Sequence, residues 1–95
     1  MDTVDGMKTV VAVVETGSFT AASERLNISK ALVSKYVGEV ERRLNARLFH
    51  RSTRKLAMTE AGKTYYQRAL PLLEEFTELV DEVSGEKSSP QGLLR

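Results

Sequence analysis

Apolar positions recur every three or four residues along most of this 95-residue chain. Val4, Met7, Val11 and Val14, with Val10 beside them, mark one face of a helix over residues 2–16. Residues 9–14 are rich in valine and would also suit a strand, because β-branched side chains favour strands. The length of the pattern decides for the helix, and so does Gly17, a residue type that readily adopts the left-handed C-terminal cap. A short second helix is predicted over residues 19–26, capped by Ser18 or Thr20. Ala21 and Ala22 let a neighbouring helix approach, and Leu26 closes the apolar face. Asn27 tolerates the backbone of a sharp turn, and Ile28 is placed to plug the core beneath it. A third helix follows over residues 30–44, with Ser29 as N-cap and Asn45 as its left-handed stop. Its expected buried stripe is Leu32 or Val33, Val37, Val40 and Leu44. Gly38 costs this helix about 1 kcal/mol relative to alanine. Close packing of another helix is the expected reason.

Residues 48–51 and 55–58 alternate in polarity around Ser52-Thr53-Arg54 and predict a small β-hairpin. Thr59 is then the cap of a fourth helix over residues 60–84, with Glu60 beside its positive dipole end. That is far longer than the usual length of about 11–12 residues. Its apolar stripe runs through Ala69, Leu72 or Leu73, Phe76, Leu79 or Val80, and Val83, flanked by Glu74, Glu75 and Glu78. Such a stripe needs a partner, either a second copy or the chain's own core. Pro71 lies inside it, and an interior proline costs roughly 3 kcal/mol, so the helix is expected to kink or divide there. Residues 85–92 read as a flexible connector, and no internal repeat is seen.

Composition narrows the chemistry. Cysteine is absent and histidine occurs once, which excludes disulfides, thiolate nucleophiles and zinc ribbons. No apolar run approaches the length of a membrane span, and the N-terminus lacks the basic-then-apolar order of a signal peptide. The expectation is a cytoplasmic protein without cofactor, metal or membrane partner. Charge changes the picture more. Residues 25–68 hold eleven lysines and arginines against three acids, a net +8, although the whole chain is only +1. The flanking segments are acidic, −3 over residues 1–24 and −4 over residues 69–95. A basic block of this size points to a polyanion.

Helix, tight turn and helix over residues 20–44 have the spacing of a helix-turn-helix, whose second helix enters the DNA major groove. Lys30, Ser34 and Lys35 supply donors on the N-terminal half of that helix, and Ala31 permits close approach or contact with a thymine methyl. Arg51-Ser52-Thr53-Arg54-Lys55 at the hairpin tip suits phosphates or a minor groove, which makes it a candidate wing. The plainer readings are a helical hairpin with surface lysines and a solubilising turn. His50 reads as a surface side chain, and Tyr65 and Tyr66 as packing at the root of the long helix. No nucleophile–base pair, metal cluster or phosphate-cradling glycine loop is present, so no catalytic residues are assigned.

The sequence resembles the N-terminal region of LysR-type transcriptional regulators. The resemblance rests on Gly17-Ser18-Phe19-Thr20-Ala21-Ala22 before Leu26, then Ser29, Val33-Ser34-Lys35, Val40-Glu41, Leu44, Arg47-Leu48-Phe49, Arg51, Arg54 and Thr59-Glu60-Ala61-Gly62. It implies a mainly α fold, a winged helix-turn-helix of three helices and a small β-hairpin wing, followed by a long linker and dimerisation helix. It also implies that Lys30, Ala31, Ser34 and Lys35 read bases, and that Thr20, Ser29, Arg51, Thr53 and Arg54 contact the backbone or form the wing. Similar proteins often carry glutamine and proline where Lys30 and Ala31 stand, and arginine where Lys35 stands. Asn45 stands where they often have glycine.

The expected organisation is a DNA-binding domain over residues 1–58, a linker helix over 59–84 and a hinge over 85–95 toward an effector-binding domain. The sequence would then be a segment of a regulator about three times as long, with its small-molecule effector site in the remainder. The expected partners are double-stranded DNA with an inverted-repeat site and a second copy of the chain, or a tetramer in the full-length parent. Its place would be the bacterial cytoplasm, on the nucleoid. The alternative is a winged-helix assembly module that no longer binds DNA.

Overall fold

The structure, a computed structural model, describes residues 2–51 and 55–85. Its elements are α1 (Thr3–Thr16), α2 (Phe19–Leu26), α3 (Lys30–Leu44), β1 (Phe49–His50), β2 (Ala57–Met58) and α4 (Glu60–Ser84). Each helix starts where a short polar side chain accepts an otherwise unpaired amide. Asp2 accepts from the Asp5 N–H at 2.8 Å, Ser18 from Ala21 at 2.9 Å, Ser29 from Leu32 at 3.0 Å and Thr59 from Gly62 at 2.9 Å. Ser18, not Thr20, is therefore the cap of α2. The helices stop in the left-handed conformation at Gly17, Asn27, Asn45 and Gly85.

The three short helices close on a core of Val10, Val13, Ala22, Val33, Val37 and Val40, completed by Leu48 and Phe49. Phe19 meets Phe49 edge to face, with centroids 6.2 Å apart. Ile28 packs against this core, as its place in the turn suggested. Val33, not Leu32, lies on the fully buried row of α3. Leu44 departs from expectation and is 48% exposed. The buried row ends on Val40 and Glu41, and the last turn of α3 runs past the core.

Among the described residues the hairpin is shorter than the alternation predicted, pairing only Phe49 with Met58 and His50 with Ala57. The Leu48 N–H is taken by the Glu41 carboxylate at 2.8 Å, and Arg51 turns toward the same carboxylate. The Leu48 carbonyl meanwhile accepts the Thr59 N–H at 3.0 Å. Beyond the hairpin, the Thr59 hydroxyl donates to the Arg47 carbonyl at 2.6 Å while capping α4. Gly62 faces Leu48 so closely that a Cβ there would run into the Leu48 carbonyl. The first turn of α4 is thus fixed against the segment leaving α3.

α4 runs unbroken through Pro71, so the proline does not divide it. Ala69 and Leu73 are buried against Val11 of α1, with Val4, Met7 and Leu70 around them. These two positions were expected in a dimer stripe, and they belong to the chain's own core instead. Leu72, Phe76, Leu79, Val80 and Val83 stay exposed along the outer part of the helix. Gly38 also departs from expectation. A Cβ there would meet only the Arg42 guanidinium, at 3.8 Å, so no helix packs against it.

Candidate nucleic-acid interface

α3 is held by one side and presents the other. Val33, Val37 and Val40 lock it into the core, while Lys30, Ala31, Ser34 and Lys35 are exposed. At 3.6 residues per turn, Ala31, Ser34 and Lys35 fall within one arc of about 100° near the helix N-terminus. α2 braces this arrangement. Ala22 is fully buried, and the turn is tied by Ile28 N–H to the Ser23 carbonyl at 3.1 Å and Asn27 N–H to the Glu24 carbonyl at 3.3 Å. Thr20 and Ser29 are exposed at the N-terminal ends of α2 and α3. Ser29 spends an acceptor site on its cap and keeps its hydroxyl proton for an outside acceptor.

Arg51 is only partly a free cation. Its Nη2 donates to Glu41 Oε1 at 2.9 Å, and its guanidinium lies over the Phe19 ring, 5.5 Å from the centroid. Its side chain is 31% exposed, so it is fixed in place with some donors still open. Glu41 was missed as a key residue. It is 7% exposed and accepts from both Leu48 and Arg51, with Arg47 Nε at a looser 3.8 Å. The signal was available, because Glu41 continues the four-residue row of Val33 and Val37. Thr53 and Arg54, expected in the wing, lie outside the described residues.

A second polar network ties α4 to the short helices. The Tyr66 hydroxyl donates to Glu15 at 3.1 Å, and Glu15 pairs with Arg25 of α2 at 2.7 Å. The hydrogen bond to Glu15 raises the Tyr66 pKa, helped by desolvation and by the charges of Glu15 and Glu74. Burial raises that of Tyr65. Among the described residues no group of histidines or acids could hold a metal ion, and no helix is long and apolar enough to cross a membrane.

Comparison with known proteins decides between the readings of this surface. Residues 4–63 match the family described as bacterial regulatory helix-turn-helix protein, lysR family. The chain belongs to the LysR family. A transcriptional repressor of Pseudomonas aeruginosa is 40% identical over all 95 residues, which cover 30% of that protein. The BenM DNA-binding domain, solved in complex with catB site 1 DNA, is 30% identical with a TM-score of 0.82. That match covers 94% of this chain and 99% of the BenM domain. The CbnR DNA-binding domain, also solved with DNA, is 27% identical with a TM-score of 0.79, over 93% of this chain and all of that one. This chain is therefore a LysR-type helix-turn-helix DNA-binding domain with a winged-helix fold, from a family of transcriptional regulators and not of enzymes. The reading as an assembly module finds no support among these relatives. The chain spans between a quarter and a third of the length of the curated relatives it matches.

Proposed function

We propose that this LysR-type domain reads a specific duplex through the exposed N-terminal half of α3, as part of a dimeric bacterial regulator. Lys30, Ala31, Ser34 and Lys35 meet base edges. Thr20, Ser29, Arg51, Thr53 and Arg54 meet the sugar-phosphate backbone or the neighbouring minor groove. The observation that carries this reading is the two-faced α3, with valines locked into the core and a small polar set projecting from the opposite side near its N-terminus. The exposed stripe of Leu72, Phe76, Leu79, Val80 and Val83 supports pairing with a second copy. Two-fold pairing implies an inverted-repeat site with half-sites about one helical turn apart, or a multiple of it.

In this reading residues 1–58 form the DNA reader and residues 59–84 the linker helix. Residues 85–95 lead toward an effector-binding domain that holds the small-molecule site. The relatives, three to four times as long as this chain, support that division. The regulator acts in the cytoplasm on the nucleoid, as a dimer or tetramer. Selection of sites from a pool of random duplexes tests the proposal. An enriched inverted repeat is expected. A pool that stays random at low salt would refute it.

A further inference from the structure

One basic feature shares only Arg51 with the residue set assigned above. A cleft of about 450 Å³ opens beside the C-terminal half of α3, lined by Gly38, Glu41, Arg42, Arg47 and Arg51 among others. Gly38 gives it room, since the nearest atom to a Cβ there is Arg42 Nη1 at 3.8 Å. Glycine costs a helix about 1 kcal/mol relative to alanine, and no packing against another element explains that cost at Gly38. The buried Glu41 forms part of the lining. Its two oxygens accept from Leu48 and Arg51, so the carboxylate is already engaged and holds the Arg51 guanidinium in position. Arg42 has no ion pair among the described residues, and Arg47 is 65% exposed with only the 3.8 Å approach to Glu41. Three guanidiniums thus surround one satisfied carboxylate, a net of two positive charges facing an open cleft.

The cleft also continues the reading face. Ala31, Ser34, Lys35, Gly38 and Arg42 all fall within the same arc of about 100°. Ala31 and Arg42 are about 16 Å apart along the helix axis, whereas the major groove is about 12 Å wide. A helix whose first turns lie on base edges therefore carries its third and fourth turns to the groove rim, where the phosphates are. Arginine is suited to that rim, because its planar fork matches phosphate oxygens.

We propose that the Gly38–Arg42–Arg47–Arg51 cleft is a subsite for one DNA backbone phosphate at the rim of the groove read by α3. Gly38 lets the backbone approach, Arg42 and Arg47 close on the phosphate from two sides, and Arg51, pinned by Glu41 and Phe19, offers its remaining donors. This rests on the reading of α3 as the DNA-reading helix, and the test separates the two. Duplex binding of the 95-residue chain is measured against salt, on its selected site and on a random duplex. Arg42→Gln should lower the slope of log affinity against log salt by up to about one unit per bound copy and weaken both duplexes by the same factor. Arg42→Gln combined with Arg47→Gln should lose about one unit per bound copy in total, because both cations serve one phosphate. Gly38→Leu should fill the cleft and weaken DNA binding while leaving the melting temperature equal or higher, an effect that a purely structural role would not give. Unchanged slopes in all three variants would overturn the cleft while leaving the α3 reading intact. A loss of about two units per bound copy in the double variant would replace the shared site with two separate contacts. A wild-type chain that binds no duplex at low salt would overturn the reading of α3 itself, and the cleft with it.

Discussion

Glu41 shows how a single side chain can join three parts of this domain. It sits on the buried row of α3, accepts the Leu48 amide that begins the hairpin, and anchors Arg51 at the hairpin's far side. A charged residue in a helix usually reads as solvated, and only its register with Val33 and Val37 hints otherwise. Glu41→Ala leaves the Leu48 amide unpaired in the core, so a stability loss of about 1–3 kcal/mol is expected from denaturant unfolding. An unchanged midpoint would mean that water replaces the carboxylate at no cost. Gly62 was equally hard to see, because its need arises from the Leu48 backbone, fourteen residues away in sequence. The caps were easy by contrast, since Ser29, Asn45 and Thr59 act on amides and carbonyls within their own turn. Lys35 is a residue-scale test of the interface. Lys35→Ala should relax discrimination at one base-pair position by roughly 1–3 kcal/mol. An equal loss on selected and random duplexes would place Lys35 on the backbone.

The elements themselves were largely legible, because periodicity and caps agree for each of α1, α2 and α3. α4 was legible in extent but not in allegiance. The same three- and four-residue spacing serves a stripe buried at Ala69 and Leu73 and one exposed at Leu72 and from Phe76 onward, and the side and length of α4 that α1 covers divide them. The hairpin was overextended because the Leu48 carbonyl accepts from Thr59 across it, yet the Leu48 N–H that a longer ladder would use is taken by Glu41. The root of α4 also carries a pH dependence. The raised Tyr66 pKa means that the folded state holds this proton more tightly than the unfolded chain. Its contribution is full below the ordinary tyrosine pKa of about 10 and is lost as pH rises through the folded value. Wild-type stability should therefore fall above about pH 10, and Tyr66→Phe should flatten that fall. A variant with the same alkaline profile would exclude Tyr66 as its source; Tyr65, raised by burial, would remain.

At the scale of the whole molecule, charge and shape divide the work. The described residues extend over 50 × 23 × 20 Å, long because α4 continues beyond the three-helix body. The basic residues concentrate in the segment from Arg25 to Arg68, and the acids flank the outer part of α4, where they would repel phosphates. A protein partner is therefore proposed for the exposed stripe. If that partner is the proposed second copy, Phe76→Glu should leave a monomer in sedimentation without lowering helix content, and should weaken an inverted repeat toward half-site affinity. Dimerisation that survives the substitution would put the interface elsewhere.

The most direct test of sequence-specific DNA reading by α3 is the affinity of the chain for its selected inverted repeat and for a random duplex across a range of salt. The account predicts that log affinity falls linearly with log salt on both, with the selected site tighter by roughly a thousandfold or more. Equal affinity for the two duplexes, or none at low salt, would contradict it.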